Sequence, residues 1–161
     1  MLALLAGIPL ARAEIVKIPA LSSPVIDEAG VLTANEVRQL EDRLYALKNY
    51  FQMQIWIAPT LGDEAIEALS IRAVDTWKLG SAKEDKGLLL LIALQERRMR
   101  LEVGHGLEGE IPDALAARIL DYLLRPALRS GNYAQGFRDV ITEITAVLKV
   151  GDKPVKSKVP S

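Results

Sequence analysis

The stretch DKGLLLLIALQERRMRLEVGHGLEG, residues 85–109, decides how this chain is read. Leu88, Leu89, Leu90, Leu91, Ile92, Ala93 and Leu94 form an unbroken apolar run, as expected of a strand covered on both faces in the middle of an α/β sheet. Gln95-Glu96-Arg97-Arg98 is a charged break short enough to be a hairpin loop. Met99-Arg100-Leu101-Glu102-Val103 then alternates apolar and charged, the pattern of a strand with one wet face. With Leu94 opposite Met99, counting along the ladder sets Asp85 opposite Glu108. One end of the hairpin therefore gathers Asp85, Lys86, His105 and Glu108, and any chemistry is expected there.

Strand-like and helix-like segments alternate on either side of this hairpin. Thr33-Ala34-Asn35-Glu36 is a capping box, in which the hydroxyl and the carboxylate each satisfy the other residue's amide. Behind it Val37, Leu40, Leu44, Leu47 and Phe51 recur at helical spacing. Met53-Gln54-Ile55-Trp56-Ile57-Ala58 is rich in strand formers and is stopped by Pro59. Asp63 is placed to cap a second helix with the stripe Ile66, Leu69, Ala73 and Trp77, ended by Gly80. Past the hairpin, Pro112 opens a third helix that buries Leu115, Ile119, Tyr122 and Leu123 and is broken by Pro126. Asn132 caps a fourth, which buries Phe137, Ile141, Ile144 and Leu148. Val25-Ile26-Asp27 reads as a short strand or an anchored loop, with Asp27 able to hold the following turn by an Asx-type bond. The order β-α-β-α-β-β and then two helices predicts an α/β fold. It is an α/β/α sandwich with a mixed, mainly parallel sheet of about four strands, one antiparallel hairpin strand, and helices on both faces.

The chain has 161 residues, half of them apolar, enough for one globular core. Twenty basic residues face 21 acidic ones, a balance that excludes a nucleic-acid footprint. The absence of cysteine excludes disulfides, thiolate nucleophiles and Cys-type zinc sites. Residues 1–13 read as a signal peptide, an apolar run closed by Ala11-Arg12-Ala13, which sets the cut before Glu14. Its n-region carries no Lys or Arg. Residues 14–23 are an extended lead-in, 24–150 the domain, and 151–161 a disordered tail of Lys, Pro and Ser. The mature protein is expected to be periplasmic or secreted from a bacterium.

An ordered set of motifs carries a family resemblance. It comprises Val25-Ile26-Asp27-Glu28-Ala29-Gly30-Val31-Leu32-Thr33 with Glu36, Trp77-Lys78-Leu79-Gly80, and Asp85-Lys86-Gly87-Leu88-Leu89-Leu90. It continues with Arg100-Leu101-Glu102-Val103-Gly104, Gly106-Leu107-Glu108-Gly109, Asp113, and Arg129-Ser130-Gly131-Asn132-Tyr133 with Gly136. Together these resemble the TPM domain. The resemblance implies an α/β/α fold and exported or lumenal placement. It also implies, as expectations, a link to photosystem repair in plant members and an acid phosphatase activity. This chain departs from the family pattern at Pro112, where a capping Thr or Ser is usual.

Gly104, Gly106 and Gly109 match G-x-G-x-x-G, but they follow the return arm of a hairpin, and the next helix starts only near Pro112. That context is wrong for a dinucleotide. The glycines are expected to permit a tight turn with positive φ, or to aim amides at an anion. His105, the single histidine, has no serine partner for a triad and reads as an exposed loop residue. Asp85, Glu108 and Asp113 form a candidate oxygen set for Ca²⁺ or Mg²⁺. Asp85 and Asp113 could then serve a metal-bound water, with Arg129 gripping a phosphate ester by its fork. The same carboxylates are equally readable as turn and helix caps. Two functions stay open. One is an interaction, assembly or repair module for envelope or membrane proteins. The other is a metal-assisted phosphomonoesterase, for which the visible catalytic set is incomplete.

Overall fold

The computed structural model describes residues 10, 12–151 and 158–160. Its elements are β1 (Val25–Asp27), α1 (Ala34–Leu47), β2 (Gln52–Ala58), α2 (Ile66–Trp77), β3 (Gly87–Ala93) and β4 (Arg98–Val103). After them come a 3₁₀ turn (His105–Leu107), α3 (Asp113–Ile119), a π-helical stretch (Leu120–Leu124), α4 (Arg125–Arg129) and α5 (Tyr133–Val147). The sheet has the order β1-β2-β3-β4. The first three strands run parallel, and β4 returns antiparallel to β3.

Alternation of side chains along the strands divides the core into two layers. Val25, Met53, Ile55, Ile57, Leu88, Leu90, Ile92 and Leu101 face α1 and the C-terminal helices. Ile26, Trp56, Ala58, Leu89, Leu91 and Ala93 face α2, where the Trp56 and Trp77 rings meet edge-on at 5.4 Å. The fold is therefore the expected α/β/α sandwich with one antiparallel strand. Every residue of β3 is buried, as its unbroken apolar run implied.

Thr33 and Glu36 form the capping box, with bonds of 3.2 Å and 2.8 Å. Those bonds favour the ionised carboxylate, so the Glu36 pKa lies below the usual value. Asp27 accepts from the amides of Gly30 and Leu32, both at 2.8 Å, and so fixes the entry to α1.

Three local expectations are corrected. Asp63 does not cap α2; the N-cap position is Ala65, and Asp63 turns instead to the lead-in. Asn132 precedes α5 without a side-chain capping bond. Pro126 does not break its helix, which runs on through the π-helical stretch into α4. Proline lacks an amide proton and crowds the preceding turn. Here the wide turn, closed by the Arg125 amide on the Leu120 carbonyl, lies just before it. The buried face is Ala116, Ile119, Leu120 and Leu124, while Tyr122, expected inside, is 57% exposed.

The lead-in lies along α2. The Glu14 amide donates to Asp63 Oδ2 at 2.6 Å, and the Asp63 amide donates back to the Glu14 carbonyl at 3.0 Å. Arg72 donates to the Val16 carbonyl at 2.7 Å and pairs with Glu64 at 2.6 Å. Trp77 Nε1 donates to the Pro19 carbonyl at 2.8 Å. Most of the stretch read as a signal peptide lies outside the described residues, as do 152–157 and 161 of the tail. Within that tail, the Lys158 amide donates to Glu143 at 3.0 Å and Val159 is buried against the main core. Among the described residues no helix is long and apolar enough to cross a membrane.

Candidate functional site

The hairpin register places the candidate residues. Ala93 pairs with Arg98 and Leu88 with Val103, so the loop is Leu94-Gln95-Glu96-Arg97, closed by the Arg97 amide on the Leu94 carbonyl at 3.2 Å. This is a two-residue step from the expected ladder. Side-chain alternation fixes only which face a residue takes, and a step of two preserves it. The turn decides the rest. Asp85 therefore lies opposite Gly106, whose amide donates to the Asp85 carbonyl at 3.0 Å, instead of opposite Glu108.

Asp85 ties this end together. Its backbone has φ +46°, a left-handed conformation that Asp tolerates better than most residues. Its amide donates to the Ser81 carbonyl at 2.8 Å, and its Oδ2 accepts the His105 amide at 3.0 Å. The glycines serve this joint in a way the sequence reading did not anticipate. Gly104, Gly106 and Gly109 are absent from the residues with positive φ. At Gly104 a Cβ would strike the Asp85 carbonyl, and at Gly106 the Glu84 carbonyl, whereas Gly109 faces open space. Two of the three are thus required by close backbone approach.

His105 Nδ1 lies 3.1 Å from Glu108 Oε1, and its side chain is 86% exposed. The bond to Glu108, that carboxylate's charge, and the Asp85 charge beyond it raise the imidazole pKa. Asp85, Glu102, Gly104, His105 and Glu108 line one wall of an open cleft of about 630 Å³. From the α2 side Ile71, Val74 and Leu79 line it together with the charged Asp75 and Lys78. Glu102 is already engaged. Its Oε2 accepts from Arg100 Nε at 2.7 Å and from the buried Ser70 hydroxyl at 2.7 Å, fastening β4 to α2. Ser70 was not singled out from the sequence, and Arg100 only as part of the β4 alternation and a family motif. A serine on the apolar stripe of α2, with alternating charges on β4, was the available signal.

The other candidates separate. Asp113 opens α3 and is not among the residues lining this cleft. Arg129 ends α4 and lines a different cavity, beside Ile92, Ala93 and Leu94 at the far end of β3. Seven strand residues at about 3.3 Å each put that end roughly 20 Å from Asp85. Asp85 and Arg129 therefore cannot grip one phosphate ester. Among the described residues no group of three or more His, Cys, Asp or Glu side chains is placed to hold a metal ion. Asp85, Glu108 and Asp113 are thus not brought together in such a group.

A mixed sheet between two helical layers, with a glycine loop pressed on the segment that leads into β3, defines the class of α/β/α sandwich. The TPM domain family matches residues 25–147, and the chain belongs to that family. The chain is similar to the N-terminal domain of a protein from P. gingivalis, known from solution NMR, with 32% identity and a TM-score of 0.75 over 84% of this chain and 93% of that one. Two further NMR structures share the fold. BA42 from the psychrophilic bacterium Bizionia argentinensis is 16% identical, with a TM-score of 0.62 over 80% of this chain and 91% of its own. The N-terminal domain of cg2496 from Corynebacterium glutamicum is 11% identical, with a TM-score of 0.62 over 92% and 97%. No match is found among curated proteins.

Proposed function

We propose that this TPM domain is an exported recognition module for envelope or membrane proteins, which binds through the cleft between α2 and the glycine loop. The supporting observation is how the polar groups of that cleft are used. Asp85 holds the His105 amide, Glu108 holds the His105 ring, and Glu102 holds Arg100 and Ser70. These carboxylates shape the loop, and across from them the α2 side presents Ile71, 51% exposed, beside Val74, Asp75 and Lys78. An open groove that mixes exposed apolar and charged side chains suits a protein segment. Export is supported by the lead-in. A cut before Glu14 would convert the amide that meets Asp63 into an α-ammonium group 2.6 Å from that carboxylate, adding an ion pair to an existing contact.

The test is a photo-crosslinking residue at Ile71 in the full chain, with one at Tyr45 on α1 as control. Envelope proteins captured at the first position and not at the second are the expected outcome. The hydrolase reading predicts something else: phosphate release from a phosphate monoester in Mg²⁺ or Ca²⁺, abolished in a folded Asp85→Asn variant. That result would overturn the proposal.

A further inference from the structure

The lead-in is held by its main chain. Asp63 accepts the Glu14 amide at 2.6 Å and Glu64 the Val16 amide at 3.2 Å, while Arg72 donates to the Val16 carbonyl and Trp77 to the Pro19 carbonyl. Val16 and Ile18 pack on the α2 layer, and Ile15 and Lys17 stay exposed, the alternation of an extended strand. These contacts fix the position of Glu14 against the turn before α2. Gly62 permits the approach. Its φ is +59°, and a Cβ there would stand 2.6 Å from the Glu14 carbonyl oxygen.

Asp63 is poised to match a full positive charge. It leaves α2 without a side-chain cap, although its residue type is among the best for that role. Among the described residues it has no cationic partner, and the nearby Arg72 is paired with Glu64. Its contact with the Glu14 nitrogen is shorter than the about 2.9–3.0 Å usual for a peptide N–H on oxygen, and closer to the about 2.7–2.9 Å of an ammonium on a carboxylate. Ala13 and Glu14 are both exposed, so the bond between them is open to a protease. We propose that Asp63 is a receptor for a free amino terminus, and that cutting the chain before Glu14 is a modification that locks the lead-in onto α2. This rests on the export reading, which supplies the cut, and goes beyond it by giving the cut a structural effect. In the cut, a leader peptidase adds water across the Ala13–Glu14 peptide bond. The hydroxyl goes to the Ala13 carbonyl carbon and the hydrogen to the Glu14 nitrogen. The new Ala13 acid then releases a proton, and the Glu14 amine takes one up. The resulting ammonium has three donors where the peptide had one. The other charged groups tied to this turn are the Glu14 side chain, the Glu64–Arg72 pair, and Glu96, which accepts the Leu61 amide at 3.0 Å.

The experiment compares the full chain, the same chain cut before Glu14, and the cut chain acetylated at the Glu14 nitrogen, which keeps an amide donor and loses the charge. At about pH 6 the cut chain should melt about 2–4 °C above both other forms. Pairing with Asp63 raises the ammonium pKa above its ordinary value of about 7.7–8.0. The gain is therefore full below that value, is lost as pH rises through the raised one, and should be gone by about pH 10.5. Asp63→Asn keeps an acceptor without the charge; it should abolish the gain and leave the uncut chain nearly unchanged. No gain on cutting, or a gain that survives acetylation, Asp63→Asn or the high pH, would overturn the proposal. Cell fractionation separates it from the reading it rests on: a full chain that stays whole in the cytoplasm overturns both, whereas a chain exported and cut without any gain overturns the lock alone.

Discussion

Gly106 and Gly109 stand three residues apart in one loop and differ in what they must do. Alanine at Gly106 would drive its Cβ into the Glu84 backbone carbonyl, whereas at Gly109 it meets nothing. Gly106→Ala should destabilise by about 1–3 kcal/mol, as overpacking does, and Gly109→Ala should stay within about 0.5 kcal/mol of wild type; urea denaturation of both variants reads the difference. His105 gives a pH signature. Its folded pKa is raised, chiefly by the bond to Glu108. The stabilisation is therefore fully present below the unfolded value near 6.5 and is lost as pH rises through the folded one. The gap in melting temperature between wild type and Glu108→Gln should be larger at pH 5.5 than at pH 8.5. The G-x-G-x-x-G spacing marked these residues as special, but not why. A sequence lists a glycine without naming the carbonyl that approaches it, and that carbonyl belongs to Glu84, on the other arm of the joint.

At the scale of elements, the capping box and the buried strand were legible because both are local signals, in which one residue's chemistry names its partner a few positions away. Thr33→Ala should cost about 1 kcal/mol by losing the cap. The helix through Pro126 was not legible. Periodicity assumes a constant turn, and one π-helical turn shifts the register of everything after it. Leu124 goes inward and Tyr122 outward. Leu124→Ala should cost about 2–5 kcal/mol, and Tyr122→Ser should be nearly neutral; urea denaturation of both variants checks the ranking. The hairpin shows the same limit at smaller cost. Apolar and charged alternation assigned the faces of β4 correctly, yet left the register free to move by two, and Arg97 in the left-handed turn settled it.

Across the whole molecule, the chain order predicted the layers, because alternating strands and helices have few ways to cover both faces of a sheet. The candidate residues were expected in one place and lie in two. Asp85 and Arg129 are brought to opposite ends of β3 by the path of the chain between them, which no motif encodes. The lead-in is a long-range element of the same kind. Arg72→Ala removes both its bond to Val16 and its pair with Glu64, and should cost on the order of 1–3 kcal/mol. Protease cleavage after Lys17 should then become faster than in wild type.

The burial of β3 has a consequence for the chain before it folds. Seven consecutive residues, Gly87–Ala93, carry no charge and no proline, the composition of segments that stack into fibrils. In the native sheet they are out of reach, but on a refolding chain they are exposed. Asp85 and Lys86 stand immediately before them, and Glu96, Arg97 and Arg98 soon after. The charges that shape the two ends of the folded strand therefore also guard the unfolded one, by making self-stacking of that segment repulsive. Neutralising Lys86 and Arg97 together should shorten the lag before turbidity on refolding.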